Sequence, residues 1–310
     1  MILRQMPTLE HAAFRRWFYQ RWGRENCVVT ARTRRAEYPL FEQRLSVKAA
    51  WGGTESYFVD GRRVAVDDAH YLILNEARSY ASSLQAREPV TSFAIFFRPG
   101  IAAEVARCQA LPADALLADP DGHGTIEFSE HLRPHDRLVT PVLRFIYRHT
   151  ALGLADEAWL EDQSYFLMGR MLAAHRNDRA AAQLLPVRRA STRRELFRRI
   201  GLAVNFIHTQ YDRPIGLAEI AAAAFLSPYH CLRLFKTLHA VTPVEYLNRQ
   251  RVRMAERLLR ETRLGVDEVA ARVGYGCRVT LYRQLRRLRG EAPGALQTVP
   301  RRTPPGPAEP

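Results

Sequence analysis

The chain has 310 residues, 47% of them hydrophobic, which is enough to bury a core in each of two domains of ordinary size. Its formal net charge of +14 lies outside the range of an average cytosolic enzyme and predicts a polyanionic partner. The four cysteines form no C-x-x-C pair, which excludes a zinc ribbon and a dense disulfide framework and suits a reducing cytoplasm.

The N-terminal residues lack the uninterrupted apolar core of a signal peptide, because arginines and a glutamate interrupt them. No stretch of the chain approaches the ~20 apolar residues that are needed to cross a bilayer. We therefore expect a cytoplasmic protein with no membrane partner.

Short runs rich in aromatic and β-branched residues follow, separated by turn residues, and this pattern is typical of β-strands. The Asp60-Gly61 pair lies between two of these runs and predicts a hairpin turn, because glycine adopts positive φ without steric cost. Strands this short and evenly spaced predict a small barrel or sandwich. The predicted strands are 28–30, 45–51, 57–59, 64–66, 71–74 and 92–97.

Helical periodicity replaces the alternating pattern after residue 100. It predicts one helix over 101–110 and two longer helices, near 138–146 and 159–171, each with an apolar stripe. The whole N-terminal part is thus predicted to be a domain of residues 1–180, with a small β-barrel and flanking helices.

The remainder of the chain is predicted to form a second, helical domain, joined to the first by a linker. Residues 181–195 lose the periodicity and contain Pro186, so they are interpreted as a linker. An all-α domain is expected over 196–297, which makes the chain an α+β protein of two domains. Residues 298–310 hold too little apolar content to pack and are predicted to be a disordered tail.

An internal repeat lies in the most basic part of the chain, where residues 191–299 hold 19 Lys and Arg against 9 Asp and Glu. The segment 217–221 recurs 49 positions later at 266–270, and Arg233 recurs 50 positions later as Arg283. Each copy has a short helix, a tight turn and a longer helix with inward apolar residues. This is the pattern of a helix-turn-helix.

The longer helix of each copy is predicted to present a mixed outer face. Arginine can bind guanine with two hydrogen bonds, threonine or valine can contact a thymine methyl group, and lysine or arginine can neutralise phosphate. Double-stranded DNA is the partner that these faces favour. An outward arginine can also be simply solvated surface, and the two tyrosines can equally be packing residues. The predicted contact residues are Tyr229, Leu232, Arg233, Lys236, Arg278, Val279, Thr280, Tyr282, Arg283 and Arg286.

A single helix over 244–262 is predicted to join the two copies, with Val244 and Leu247 among its inner residues. At ~1.5 Å per residue it spans roughly 28 Å. A helix of that length can hold two recognition helices near one turn of DNA apart, so one chain can read two half-sites.

Residues 196–296 resemble the AraC/XylS family of bacterial transcription regulators, and residues 71–75 and 92–97 resemble its cupin-like N-terminal domain more weakly. In this family Gly is usual where Phe225 and Ala240 stand. The family also has Arg at position 251, on the inner side of the joining helix, and we interpret Arg251 as a buried partner of a carboxylate. The carriers of the resemblance are Tyr211-Asp-Arg-Pro214, Leu217-Ala-Glu-Ile-Ala221, Ser227-Pro228, Arg233-Leu-Phe-Lys236, Thr242-Pro-Val-Glu-Tyr-Leu247, Ala255-Glu-Arg-Leu-Leu259, Val269-Ala270 and Val273-Gly-Tyr275.

The resemblance implies an activator that contacts RNA polymerase, with an N-terminal domain that senses a small-molecule effector. It also implies that the helix near 159–171 mediates a homodimer, although its apolar residues can equally be core. The strand residues Tyr57, His70, Tyr71 and Tyr80 can line an effector pocket or fill a core, and the sequence does not identify the effector.

No motif for catalysis, metal or cofactor is found. The sequence has no His-x-His, no G-x-S-x-G, no P-loop and no Rossmann fingerprint, so neither an enzyme nor a cofactor is expected. Two alternatives stay open, a cupin-type enzyme fused to a DNA-binding module and a constitutive DNA-binding protein with an inert dimerisation domain.

Overall fold

The structure is a computed structural model that describes residues 1–5, 7, 12–112, 115, 124–290 and 292–296. The predicted tail, 298–310, lies outside the described residues. The chain divides into two compact units, Met1–Gly201 and Leu202–Pro310. This division falls within one helix, and the domain limits given above stay a prediction.

The first unit contains a sheet whose described strands follow the order β1-β2-β7-β3-β6-β8, with β4 paired to both β5 and β7. These pairings do not close the sheet into a ring, so the structure shows a multi-stranded sheet with helices and leaves the barrel unconfirmed. The strands are β1 (Ile2–Leu3), β2 (Cys27–Glu42), β3 (Ser46–Trp51), β4 (Glu55–Val59), β5 (Arg62–Val66), β6 (His70–Leu74), β7 (Ser79–Phe96) and β8 (Arg133–Pro134).

Two of the strands are much longer than the sequence predicts. β2 has 16 residues and β7 has 18, where the predicted strands have three and six. They pair antiparallel from Cys27 opposite Phe96 to Glu42 opposite Ser79, with register shifts along the way. The charged middle of β2 interrupts the apolar pattern, but its backbone hydrogen bonds go to β7 whatever its side chains are.

The predicted hairpin turn is confirmed. Val59 of β4 lies opposite Arg62 of β5, so Asp60 and Gly61 form a two-residue connection. Both have positive φ, 49° and 72°, the combination of a type I′ turn whose twist suits the two strands.

Helices cover one part of the sheet and complete the main core of the first unit. The helices are α1 (Ala12–Arg21), α2 (Ile101–Ala110), α3 (Thr140–Ala151) and α4 (Glu157–Gln183), followed by α5 (Ala190–Gln210), which contains the division between the units. The range predicted for α2 agrees with the structure. The predicted linker, 181–195, includes the end of α4 and the start of α5. Leu167 and Met171 of α4 are fully buried in the core, whereas Phe166 is half exposed.

In the rest of the second unit, every secondary-structure element of the described residues is a helix. It contains α6 (Leu217–Ala223), α7 (Pro228–His239), α8 (Pro243–Glu261), α9 (Val266–Arg272), α10 (Arg278–Arg289) and α11 (Pro293–Leu296). The predicted joining helix thus corresponds to α8. Val244 is an exception to its predicted inner face, because it lies in the first turn and is exposed.

Candidate nucleic-acid interface

The two copies of the repeat begin with the same hydrogen bond. In the first, Glu219 Oε2 accepts from the backbone N–H of Gly216 at 3.0 Å, and in the second Glu268 Oε2 accepts from Gly265 N–H at 2.9 Å. Each carboxylate satisfies a free donor at a helix N-terminus and lies where the helix dipole favours negative charge. The repeated glutamate therefore fixes where α6 and α9 start.

Both copies then turn through one residue in the left-handed region, Phe225 with φ 54° and Gly274 with φ 80°. The backbone N–H that follows reaches back to the helix in both copies. Leu226 N–H donates to the Ala221 carbonyl at 3.0 Å, and Tyr275 N–H donates to the Ala270 carbonyl at 2.9 Å. The two turns thus have one hydrogen-bond geometry, although only the second has the glycine that suits it.

The recognition helices α7 and α10 start differently. Ser227 is the N-cap of α7, and its Oγ accepts from the His230 N–H at 3.3 Å, as the Ser-Pro pair predicts. Cys277 occupies the equivalent position before α10. Its sulfur lies 3.5 Å from Thr280 Oγ1, and hydrogen bonds from Thr280 lower the pKa of this exposed thiol.

Cys277 was missed as a residue of interest by the sequence reasoning. The 50-residue offset of the repeat places it opposite Ser227, so the signal was present in the sequence. Sulfur is a weaker acceptor than a hydroxyl oxygen, which is why a cysteine at an N-cap does not stand out as a helix signal.

The inner faces of α7 and α10 are apolar and buried. Cys231, Leu234 and Phe235 are fully buried in the first copy, and Leu281 and Leu285 are fully buried in the second. These positions set the rotation of each helix, because an apolar stripe at helical spacing leaves the opposite face to solvent.

The ten predicted contact residues lie on these opposite faces. Tyr229 is 74% exposed and Val279 is 68% exposed, so neither packs in the core. Leu232 and Thr280 are partly buried at the edge of the faces. The other predicted residues are exposed: Arg233, Lys236, Arg278, Tyr282, Arg283 and Arg286.

The charges on these faces differ from those on the joining helix. On α8, Arg249 pairs with Glu245 at 3.0 Å and Arg257 pairs with Glu261 at 2.9 Å. Among the described residues, no ion pair is found for Arg233, Lys236, Arg283 or Arg286. Arg278 has one long contact, 3.6 Å to Asp267. The faces of α7 and α10 therefore present cations available to an anionic partner.

Arg251 does not lie on these outer faces, and the prediction that it pairs with a carboxylate is wrong. The side chain is buried, as predicted, but Nε donates to the Tyr211 carbonyl at 2.7 Å and Nη2 donates to the Arg213 carbonyl at 2.6 Å. Its guanidinium also lies 5.3 Å from the ring centroid of Tyr275. The two backbone carbonyls accept from the guanidinium N–H groups as a carboxylate would. These hydrogen bonds fix the position of the segment before α6.

The described part of the chain contains no group of three or more His, Cys, Asp or Glu residues placed to hold a metal ion. Its helices also include none that is both long and apolar enough to cross a membrane.

Similarity to known proteins agrees with this geometry. Residues 220–298 match the family described as a helix-turn-helix domain. The probable transcriptional regulator LumQ of Photobacterium leiognathi is 30% identical over 93 residues, which cover 30% of this chain and 38% of that protein. A putative AraC-like transcription regulator of Streptomyces antibioticus is 32% identical over 101 residues, which cover 33% of each chain.

A solved structure is also similar in sequence. The crystal structure of the DNA-binding domain of AdpA in complex with a target DNA has 32% identity, covers 32% of this chain and 88% of that one, and gives a TM-score of 0.31. The alignments span only about a third of the length of the two curated relatives.

Proposed function

We propose that this chain, whose residues 220–298 form a helix-turn-helix domain of the AraC type, is a sequence-specific DNA-binding regulator that activates transcription. The observation that carries the proposal is the pair of equivalent recognition helices, α7 and α10. Their outer faces present Arg233, Lys236, Arg283 and Arg286, for which no ion pair is found among the described residues, beside hydroxyl and apolar groups. Unpaired cations bind phosphate, and Arg, Thr and Val side chains read base edges.

Two half-sites are the target that this arrangement favours. The joining helix α8 has 19 residues and is roughly 28 Å long at 1.5 Å per residue. Recognition helices at its two ends can enter successive major grooves, which lie about 34 Å apart on one face of the duplex. We therefore propose a bipartite site read by one chain.

The first unit is proposed to be a cupin-like sensor domain, which binds a small-molecule effector and contributes to a homodimer in the cytoplasm. A ligand changes DNA binding only as far as its affinities for two states of the protein differ. Activation is proposed to include contact with RNA polymerase. No catalytic role is proposed for either unit.

The test is a selection of genomic DNA fragments by the purified full chain at near-physiological salt. We expect recovery of one bipartite motif with half-sites about a helical turn apart. Recovery of random fragments, with binding that falls steeply as salt rises, would reject sequence-specific regulation and leave only electrostatic attraction.

A matched pair of variants makes the test specific to the proposed surface. Arg283→Ala removes a cation of the outer face of α10, whereas Arg257→Ala removes a cation of α8 that is already paired with Glu261. The first change is expected to reduce recovery of the motif and to relax the preference at one base pair of one half-site, and the second is expected to leave the motif unchanged.

A further inference from the structure

A cluster of arginines lies where α5 begins. Residues 188–199 contain six arginines against one glutamate. Like charges four residues apart on a helix repel each other, and Arg194 and Arg198 of α5 are such a pair. The cluster therefore destabilises the start of the helix unless an anionic group compensates it. Its members are Arg188, Arg189, Arg193, Arg194, Arg198 and Arg199.

The cluster stands at the end of the helix where positive charge is least favourable. The N-terminus of a helix carries the positive end of its dipole, which favours carboxylates. The first turn of α5 has no acidic residue. The shorter helices α6 and α9 show the ordinary arrangement, since each has a glutamate in its first turn. The start of α5 thus carries an excess of positive charge.

The one glutamate compensates only part of the cluster. Glu195 pairs with Arg198 at 2.7 Å and with Arg199 at 2.8 Å. Arg193 Nη1 donates to two backbone carbonyls just before α5, at 2.8 and 2.9 Å. Three exposed side chains of the cluster have neither a hydrogen bond nor an ion pair within the described part of the chain: Arg188, Arg189 and Arg194. Their guanidinium groups are available to an anionic partner.

Two hydroxyl groups lie among these arginines, since Ser191 and Thr192 are exposed in the first turn of α5. Arginine, serine and threonine side chains are groups that proteins use to hydrogen-bond the phosphate oxygens of DNA. Exposed cations bind a single small anion weakly, because water and salt screen the attraction. A nucleic acid differs, because each phosphate that is neutralised releases a condensed counterion. The cluster is therefore suited to a polymer of phosphates.

The position of the cluster in the chain selects DNA among such polymers. α5 continues without a break to Gln210, and in its last turn His208 Nε2 lies 3.1 Å from the hydroxyl oxygen of Tyr246 on α8. α8 joins the two recognition helices. When these helices bind a duplex, the local concentration of phosphate rises around groups that are attached to them through the chain.

We propose that the start of α5 is a further DNA-contact surface, at which Arg188, Arg189 and Arg194 bind backbone phosphates outside the base pairs read by α7 and α10. The inference rests on the proposed function, because the recognition helices supply the duplex. The hydroxyl groups of Ser191 and Thr192 add hydrogen bonds to the same phosphates. Contacts of this kind position a protein on DNA and carry no sequence information. The surface therefore adds affinity without changing the motif.

The test measures the affinity of the full chain, over a range of salt concentrations, for a duplex that extends about two helical turns beyond the selected motif on each side. The variant combines Arg188→Gln, Arg189→Gln and Arg194→Gln. We expect it to bind at least about tenfold more weakly at near-physiological salt and to select the same motif. The slope of log affinity against log salt should fall by about two to three, because each lost phosphate contact removes about 0.9.

A second triple variant, with Arg15→Gln, Arg16→Gln and Arg148→Gln, is the matched control. These arginines of the first unit are exposed, have no ion pair among the residues that the structure describes, and carry the same total charge. The control is expected to leave the slope almost unchanged. Lysine at the three positions of the cluster should also keep the slope, because the release of counterions depends on charge.

Four results would overturn the proposal. An unchanged slope in the cluster variant would reject the contact, an equal loss in the control would leave only an effect of net charge, and a changed motif would make these arginines readers of bases. Binding of polyglutamate that the cluster variant loses, with unchanged DNA affinity, would assign the surface to an acidic protein.

Two further measurements keep the proposal testable. Should the cluster variant fail to fold, hydroxyl-radical footprinting of the unmodified chain decides, since protection confined to the two half-sites would reject the surface. Should the selection recover no motif, the proposed function fails, and the same salt series is run on a random duplex. A lower slope for the cluster variant there would keep the phosphate contact, whereas an equal slope would reject it as well.

Discussion

Phe225 and Gly274 occupy equivalent places in the two helix-turn-helix turns and share a left-handed backbone, with φ of 54° and 80°. The turn needs this conformation, because it directs the next backbone N–H to a carbonyl of the preceding helix. Glycine adopts it freely, whereas a side chain places Cβ close to the following carbonyl oxygen. The first copy therefore carries strain that the second avoids.

Replacing Phe225 with glycine is expected to stabilise the second unit. Phe225 is 59% exposed, so removing its side chain exposes little buried apolar surface. Relief of the left-handed strain, less the extra chain entropy of glycine, should raise the free energy of unfolding by about 0.5 to 1 kcal/mol. Urea denaturation followed by circular dichroism measures the change, and a loss of stability would show that the ring makes contacts that matter more.

The matched change in the second copy is Gly274→Ala, and it should act in the opposite direction. A Cβ at this position would lie 2.6 Å from the Tyr211 carbonyl oxygen and 2.9 Å from the Asp212 carbonyl carbon. Strain in φ and this clash together predict a loss of at least about 2 kcal/mol. A loss below 0.5 kcal/mol in the same denaturation would mean that the backbone before α6 moves away easily.

Arg251→Met tests the attachment of that backbone segment. The substitution leaves the carbonyls of Tyr211 and Arg213 without their donor, which predicts a loss of about 3 kcal/mol. Arg251→Lys should recover less than half of this, since one ammonium group cannot reproduce the fork of the guanidinium. Arg253→Met, at an exposed position of the same helix, is the control. If Arg251→Met weakened specific DNA binding with no change in stability, Arg251 would be a DNA contact.

These residues show what the sequence can and cannot predict. The repeat located both helix-turn-helix units, because the spacing of Glu219, Ile220 and their counterparts is a local helical signal. The partners of Arg251 were missed because they lie 38 and 40 residues away and are backbone atoms, which have no residue type to recognise. The burial of Lys48 was missed for a similar reason. A lysine in a strand pattern ordinarily faces solvent, whereas Lys48 is buried in a strand that pairs with β6 on one side and with β7 on the other.

Base reading and phosphate binding are expected to divide between two pairs of residues. Arg233→Ala and Arg283→Ala should each weaken specific binding by roughly 1 to 3 kcal/mol and relax the preference at one base pair. Lys236→Ala and Arg286→Ala should weaken binding to specific and random DNA equally and lower its salt dependence. Competition binding at two salt concentrations separates these outcomes, and a changed preference for Lys236→Ala would reverse the assignment.

DNA is expected to protect Cys277 from alkylation. The thiol is exposed at the start of α10, and its lowered pKa favours the reactive thiolate. Cys108, which is also exposed but lies in the first unit, is the internal control, and the buried Cys27 and Cys231 should react slowly. Mass spectrometry after brief iodoacetamide treatment measures each site. Equal modification of Cys277 with and without the selected DNA would place the start of α10 away from the duplex.

His239 is expected to make the second unit sensitive to acid. Burial beside Phe235 and Tyr246, whose ring centroids lie 4.4 and 5.5 Å away, lowers the pKa of His239 from 6.5 to about 4. The position in the last turn of α7 would favour the protonated form through the helix dipole, but the loss of hydration outweighs it. The folded state therefore holds this imidazole neutral.

The sign of the pH dependence follows from that pKa. Below pH 6.5 His239 is protonated in the unfolded chain, whereas in the folded chain it stays neutral down to about pH 4. The free energy of unfolding therefore decreases as the pH falls through this range. The loss at this single site reaches on the order of 3 kcal/mol. His239→Leu should flatten the change in unfolding free energy between pH 7 and pH 4, whereas His230→Gln on the same helix should leave the slope as it is. An unchanged slope in His239→Leu, measured by urea denaturation across this range, would mean that His239 reaches solvent and titrates alike in both states.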